Sequence, residues 1–351
     1  MNSFITINGR RIGPDYPPYI IAELSANHNG KLENALELIE IAKASGADAV
    51  KLQTYTPDTI TIDCDNEDFQ IHGGLWAGNS LYKLYQQAYT PWEWHKALFQ
   101  KAKDLDITIF SSPFDTTAID LLEELDAPAY KIASFEAIDL PLIEAAARTG
   151  KPLIISTGMA NEEEIQEAID TARKVGCNEL AILHCVSGYP TPAEQYNLRT
   201  VKDMQTRFDC IVGLSDHTID NVTAITSVAM GAAIIEKHFT LDRDGGGPDD
   251  SFSLEPDELT ALCRDSEIAW QALGQVNYSL TEAEKPNIKF RRSLYIVKDI
   301  KAGETITSEH VRSIRPGYGL APKHLYQILG TTALCDIKRG TALDWNLITQ
   351  D

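Results

Sequence analysis

Eight short segments that are apolar at nearly every position, separated by longer amphipathic stretches, constrain this chain more than any other feature. They span residues 19–25, 49–55, 108–113, 129–135, 152–158, 180–186, 210–218 and 233–240. A strand that is apolar at consecutive positions is buried on both faces, as in a parallel sheet covered by helices. The intervening stretches have helical period. Leu36, Leu38, Ile39 and Ile41 fall on two adjoining faces, and Leu121, Leu122 and Leu125 repeat the pattern. Eight strand–helix units in succession predict an α/β fold, a parallel (β/α)8 TIM barrel of about 250 residues. An open doubly wound sheet is the weaker alternative, because no Gly-x-Gly-x-x-Gly follows the first strand.

The segments share a polarity. Each begins apolar and ends in reactive side chains: Glu23, Lys51 and Gln53, Ser112, Lys131 and Ser134, Ser156, Ser187, Ser215 and His217, and His238. In a β/α barrel the C-terminal strand ends converge on one mouth, where active sites lie. One connection is long. Residues 56–89 have little periodicity before Ser80 and carry Phe69, Trp76, Tyr82, Tyr85 and Tyr89. A loop of that length suggests a lid or binding loop. Tyr82, Tyr85 and Tyr89 share a helical face and are expected to pack. Thr90-Pro-Trp-Glu93 reads as a capping box that starts a new helix at Pro91. The pattern changes again at 282–288, after which short strands and turns predict a small β-rich domain.

Composition narrows the function classes. The chain of 351 residues carries 31 Lys+Arg against 51 Asp+Glu, a net charge of −20. Nucleic-acid and anionic-membrane partners need clustered positive charge, so neither is expected. No apolar run approaches the roughly 20 residues that span a bilayer. Residues 1–12 lack a charged-then-apolar signal pattern. The six cysteines form no Cys-x-x-Cys pair, so no zinc ribbon or redox motif is indicated. These features predict a cytoplasmic protein with reduced thiols.

Three groups of residues carry chemistry. His217 and His238 end adjacent strands, so their imidazoles should face each other. Two histidines with water and substrate oxygens suit an open divalent site of the Mn²⁺, Fe²⁺ or Zn²⁺ kind. Asp216 or Glu236 is expected to orient the rings. Lys51 and Lys131 point inward in an acidic protein and need anionic partners. Glu23 or Glu136 could supply the charge, but the nearby hydroxyls fit better with a phosphate or carboxylate ligand. A Schiff base on either lysine stays open as a competing chemistry. Finally, residues 243–253 (RDGGGPDDSFS) form a Gly-rich loop, in which Asp249 or Asp250 could bond sugar hydroxyls or move protons.

These residues sit in motifs that resemble the sialic acid synthase family over nearly the whole chain: IAELSANHNG (21–30), KLQTY (51–55), SSPFD (111–115), YKIAS (130–134), ISTGM (155–159), GLSDHT (213–218) and EKHFT (236–240). RRSLY (291–295) with IRPGYGL (314–320) resembles that family's antifreeze-like (SAF, β-clip) domain. The resemblance implies a barrel over 1–282 and the small domain over 288–351. Residues 75–95, 130–136, 245–256 and 290–304 are most like the pseudaminate branch. HCVSGYPTPAEQ (184–195) suits the neuraminate and legionaminate branches as well.

The resemblance also implies an activity. Phosphoenolpyruvate condenses with an open-chain amino-sugar aldehyde and water, giving a nine-carbon 2-keto acid sugar and phosphate. In the pseudaminate branch the acceptor is 2,4-diacetamido-2,4,6-trideoxy-altrose; the alternatives are N-acetylneuraminate and legionaminate synthesis from other N-acetyl amino sugars. By resemblance, Lys51, Gln53, Ser112, Lys131, Ser134, Ser156, Ser187 and Ser215 bind phosphoenolpyruvate, although Ser187 stands where neuraminate synthases have an asparagine. His217 and His238 hold the metal, expected as Mn²⁺, with Mg²⁺ or Co²⁺ as alternatives. Glu23 and Asp249 are the carboxylates beside the reacting carbons. Asn27 and Tyr189 contact the sugar. Arg315 reaches from one subunit into the partner's barrel in a domain-swapped homodimer. Residues 287–351 hold 10 Lys+Arg and 6 Asp+Glu, a net of +4 that leaves −24 on residues 1–286. Opposite charges on the two parts suit such docking.

Overall fold

The computed structural model describes residues 3–349. All eight expected strands form. After an N-terminal hairpin (β1, Ile5–Ile7; β2, Arg10–Ile12), they are β3 (Tyr19–Glu23), β4 (Ala49–Thr54), β5 (Thr108–Pro113), β6 (Tyr130–Ile132), β7 (Leu153–Ser156), β8 (Leu180–Cys185), β9 (Ile211–Asp216) and β10 (Ile234–His238). They are all parallel, and β10 pairs with β3 to close the barrel. A helix follows each strand on the outside: Leu32–Ala44, Trp92–Asp104, Thr116–Glu124, Leu140–Arg148, Glu162–Lys174, Arg199–Arg207, Val222–Ala229 and Pro256–Leu273.

Helix ends follow local chemistry. Asn161 and Glu164 form a reciprocal capping box, with Glu162 and Glu163 in the positive first turn and Arg173 and Lys174 in the last. The box expected at 90–93 does not form. The helix there begins at Trp92, Pro91 takes the cap position, and the buried Thr90 hydroxyl has no partner. Thr90 stands one residue too early to reach the first free N–H groups.

Strand parity decides what faces the barrel interior. On β3, Ile20 and Ala22 pack outward against helices, while Tyr19 and Ile21 point in. The same alternation puts Ala49, Phe110, Ala129, Ile154, Ala181, Ile211 and Ile234 inside. Two residues further along, apolar gives way to Glu23, Lys51, Ser112, Lys131, Ser156 and Glu236 on six strands, while β8 carries Leu183 and β9 carries Gly213. Gly213 is required there, because a Cβ would lie 2.5 Å from the Ile234 carbonyl oxygen.

The N-terminal hairpin was not anticipated. Ile5, Ile7 and Ile12 join the interior cluster next to the first residues of the strands. Thr6 N–H donates to Glu179 Oε1 at 3.0 Å, just before β8. The hairpin therefore plugs the end of the barrel opposite the mouth. Its signal was Asn8-Gly9, both with positive φ (47° and 81°), as a two-residue hairpin turn of the favoured twist demands.

The chain divides into two compact units after Gly274. Residues 271–292 are exposed throughout. The second unit holds β11 (Ser293–Ile296) and β12 (Val311–Ile314), paired antiparallel, with further single bridges such as Ile300 to Ile337. It has its own core, built from Leu294, Ile296, Ile300, Ile306, Val311, Ile328 and Ile337 among others. This is the expected β-rich domain. Among the described residues no helix is long and apolar enough to cross a membrane, and all six cysteines are free.

Ile7→Ala should destabilise the barrel by about 2–4 kcal/mol through the cavity it leaves. A lowered urea midpoint with little change in kcat at the distant mouth is the expected result.

Candidate active site at the barrel mouth

Four charged side chains from four strands meet at the mouth, all nearly inaccessible to solvent: Glu23 (β3), Lys51 (β4), Lys131 (β6) and Glu236 (β10). Lys51 Nζ lies 2.5 Å from Glu23 Oε2 and 3.8 Å from Glu236 Oε1, and Lys131 Nζ lies 3.1 Å from Glu236 Oε1. Ser112 Oγ accepts from Lys51 at 3.2 Å, and Ser215 Oγ donates to Glu236 at 3.2 Å. Two cations and two anions thus compensate one another without a ligand. Burial pulls the Lys51 ammonium down, but Glu23 and Glu236 outweigh it and hold Lys51 above the usual lysine range. Burial would raise Glu236, yet the two lysines keep it ionised. Lys131 is lowered by burial, with Glu236 opposing.

Two expectations are corrected here. Glu236 does not orient an imidazole; it neutralises the lysines, together with Glu23. Glu136 makes no ion pair. Its Oε2 lacks a hydrogen-bond partner, and burial pushes its carboxyl up to about 7. Asp216 does not orient His217 either. It points out of the barrel and accepts from Lys237 Nζ at 2.8 Å. Lys237 also donates to the carbonyls of Thr218 and Asp220, tying β9 to β10 behind the site. Parity gives the reason: residues 216 and 237 lie between the inward-facing 215, 217, 236 and 238.

The remaining hydroxyls and carboxylates surround this cluster. Gln53 Nε2 donates to Glu23 Oε1 and to Ser25 Oγ, both at 2.9 Å. Ser25 Oγ donates in turn to Asp249 Oδ2 at 2.5 Å. Burial raises the Glu23 carboxyl, with Lys51 opposing. It also raises Asp249, with the Ser25 hydrogen bond opposing. Ser134 and Ser187 share a hydrogen bond of 2.9 Å. Ser156 Oγ is buried and has no partner. Asp250 is a loop staple, accepting from Thr240 Oγ1, Asn29 Nδ2 and Gly247 N–H. Asn27 is also a staple. Its amide donates to Phe239 O at 2.8 Å and Ser253 Oγ at 2.9 Å, so it anchors the loop that carries Asp249.

The two histidine rings face each other with centroids 5.5 Å apart. His217 Nδ1 lies 2.8 Å from Val186 O. A carbonyl only accepts, so Nδ1 carries a proton. Burial pulls the His217 imidazole down, but Cys185 outweighs it and raises it. His238 Nδ1 is buried without a hydrogen-bond partner, and Asp249 Oδ2 lies 4.0 Å from it. Burial, His217 and the lysines push His238 well below the usual histidine range, so it is a neutral donor. Among the described residues no three His, Cys, Asp or Glu side chains form a metal cage by themselves. The pair fits a half-site that water and substrate oxygens complete.

Tyr196 is a residue that motif reading missed. Its hydroxyl donates to Ser215 O at 3.0 Å and accepts from His217 N–H at 2.7 Å, fixing the end of β9. Tyr189 packs at a tilt against His217, with ring centroids 4.4 Å apart. From the long 56–89 segment, Trp76 reaches to 5.8 Å from Tyr189, and its Nε1 donates to Pro248 O at 2.9 Å. The segment thus covers the mouth. Tyr85 packs on Tyr55 as expected. Arg315 lies in the second unit and is exposed.

With this geometry in view, comparisons identify the family. The NeuB family profile matches residues 38–278. The chain belongs to the NeuB family. A SAF domain profile matches residues 291–349. The chain is 46% identical over 329 residues to the pseudaminic acid synthase of Campylobacter jejuni, covering 94% of this chain and 96% of that one. It is 44% identical over 336 residues to the pseudaminic acid synthase of Helicobacter pylori, covering 93% and 96%. Among solved structures, the N-acetylneuraminic acid synthetase of Leptospira borgpetersenii in complex with citrate superposes with a TM-score of 0.73 at 31% identity, covering 82% of this chain and 96% of that one.

The carboxyl of Glu136 yields a pH prediction. Its pKa is about 7 in the fold against an ordinary value of 4.5. Between those values the native state binds more protons than the unfolded chain, so stability falls as pH rises through that window. Urea midpoints from pH 5 to 8 should fall less in Glu136→Gln than in the parent protein.

Proposed function

We propose that this NeuB-family chain condenses phosphoenolpyruvate with open-chain 2,4-diacetamido-2,4,6-trideoxy-β-L-altrose and water, giving pseudaminic acid and inorganic phosphate. The reading rests on one observation. Two buried ammonium groups, a buried hydroxyl without a partner and two facing imidazoles share a barrel mouth. The identity to pseudaminic acid synthases from two organisms supports the choice of acceptor.

Lys51 and Lys131, with Ser112, Ser134, Ser156, Ser187 and Ser215, bind the phosphate and carboxylate of phosphoenolpyruvate by charge-assisted hydrogen bonds. Gln53, bonded to Glu23, orients that carboxyl toward the reacting carbons. C3 of phosphoenolpyruvate attacks the aldehyde carbon and a C–C bond forms. The aldehyde oxygen takes up a proton, water adds at C2, and phosphate leaves with its bridging oxygen. Glu23 and Asp249 are raised by burial and suit this proton traffic. Tyr189 flanks the sugar. His217 and His238 hold a divalent metal, Mn²⁺ in our reading, which supplies Lewis-acid polarisation of the aldehyde when bound. The free cysteines are consistent with a cytoplasmic enzyme.

Phosphate release with a panel of acceptors tests the reading. Turnover should require the diacetamido-trideoxy sugar, fall on chelation and return with Mn²⁺. Turnover of N-acetylmannosamine or the legionaminate precursor alone would sink it. So would a lysine adduct trapped by borohydride with the keto-acid product, because that marks a Schiff base.

We also propose a homodimer in which Arg315 completes the partner's site. The exposed Phe135, Ile138 and Met159, on loops after β6 and β7, support an interface at the mouth. Mixed dimers of Arg315→Ala and His217→Ala subunits should recover activity that either variant alone lacks. No recovery in verified heterodimers would refute the shared site.

A further inference from the structure

The tip of the long 56–89 segment is tied to the rest of the barrel unit by one hydrogen bond. Residues 71–79 close on themselves: Ile71 N–H donates to Asn79 O and Gly78 N–H donates to Ile71 O, both at 2.9 Å. Residues 72–75, 77 and 78 are exposed, whereas Trp76 is half-buried. Its Nε1–H donates to Pro248 O at 2.9 Å. Among the described residues this is the one hydrogen bond that joins 71–79 to anything outside the 56–89 segment. The indole packs 5.8 Å from Tyr189, so its direction is set by a ring that itself lies against His217. Trp76, Tyr189, Pro248, Asp249 and His238 border one cavity of about 380 Å³.

Pro248 directly precedes Asp249, and three bonds fix that stretch of chain. Ser25 donates to the Asp249 carboxylate at 2.5 Å. Ser253 Oγ donates to the Asp249 carbonyl at 2.7 Å. Trp76 donates to the Pro248 carbonyl, which belongs to the peptide bond leading into Asp249. The first two holds come from Ser25, just past β3, and from Asp249's own loop. The third comes from the 56–89 segment and leaves with it. A lid must release in every turnover, and a single neutral hydrogen bond is weak enough to break and re-form. We propose that Trp76 is a latch that couples closure of the 56–89 segment over the acceptor to the placement of Asp249. It is a positioning residue, because it acts on the proton-transfer group through Pro248. The kinetic consequence rests on the reaction proposed above; the mechanical coupling does not.

Trp76→Phe tests the latch, because it keeps an aromatic ring against Tyr189 and removes the N–H. Hydrogen–deuterium exchange of the full-length protein without substrates should rise at 71–79 and at 245–253 together, and stay unchanged in the rest of the barrel. In phosphate-release assays the acceptor KM should rise and kcat should fall, each by about 2–10-fold, with KM for phosphoenolpyruvate unchanged. Trp76→Ala loses the packing as well and should exceed both effects. Exchange that rises at 71–79 alone, or at neither segment, would overturn the coupling. So would equal rises in KM for both substrates. A parent enzyme inactive with the diacetamido sugar would overturn the proposed reaction instead, and is told apart because the exchange result does not depend on turnover.

Discussion

Four buried charges hold the centre of this molecule, and much of the mouth is arranged around them. Glu23, Lys51, Lys131 and Glu236 come from β3, β4, β6 and β10, and they meet only because the barrel closes between β10 and β3. Breaking a buried pair by removing one partner costs about 3–5 kcal/mol, because the other charge is left uncompensated. The cluster therefore holds the mouth in one geometry. In the proposed reaction it is also what a dianionic ligand must enter. A phosphate or carboxylate arriving there competes with Glu23 and Glu236 for the same ammonium groups. Its negative charge favours protonation of the nearest carboxylate. Glu23, already raised by burial, is the group poised to take that proton.

Around the cluster the architecture separates its tasks by face. Inward positions near the start of the strands are apolar, and the β1–β2 hairpin closes that end. Inward positions near the strand ends are polar or charged. Outward positions at the same height brace: Lys237 and Asp216 tie β9 to β10 directly behind the two histidines. The 56–89 segment covers one side of the mouth, and the 239–253 loop brings Asp249 to another, held by Asn27. A Cβ at Gly247 would collide with the Asn29 side chain, which Asp250 holds.

Much of this was legible in the sequence. The eight apolar runs marked all eight barrel strands, and their polar ends marked the mouth. The errors have specific causes. Asp216 and Glu236 were read by nearness to a histidine along the chain, when strand parity sends 216 outward and 236 inward. Glu136 and Glu23 looked equivalent as partners for the lysines, yet only Glu23 lies on a strand whose register brings it to Lys51. Tyr196 belongs to no pattern that period or motif could flag. The β1–β2 hairpin was missed although Asn8-Gly9 announced it, because two three-residue strands carry too little periodicity to stand out.

The sequence by itself determined the barrel, the small β-rich domain, the family and the kinds of donor at the mouth. Those depend on local periodicity and on residue type at strand ends, which a linear chain displays. Tertiary structure alone decided which charge neutralises which, which histidine nitrogen faces a carbonyl, and that the 56–89 segment folds over the mouth. Those depend on distances of a few ångströms between strands far apart in sequence. Coulomb and hydrogen-bond energies change steeply over such distances, and nothing in the order of residues records them.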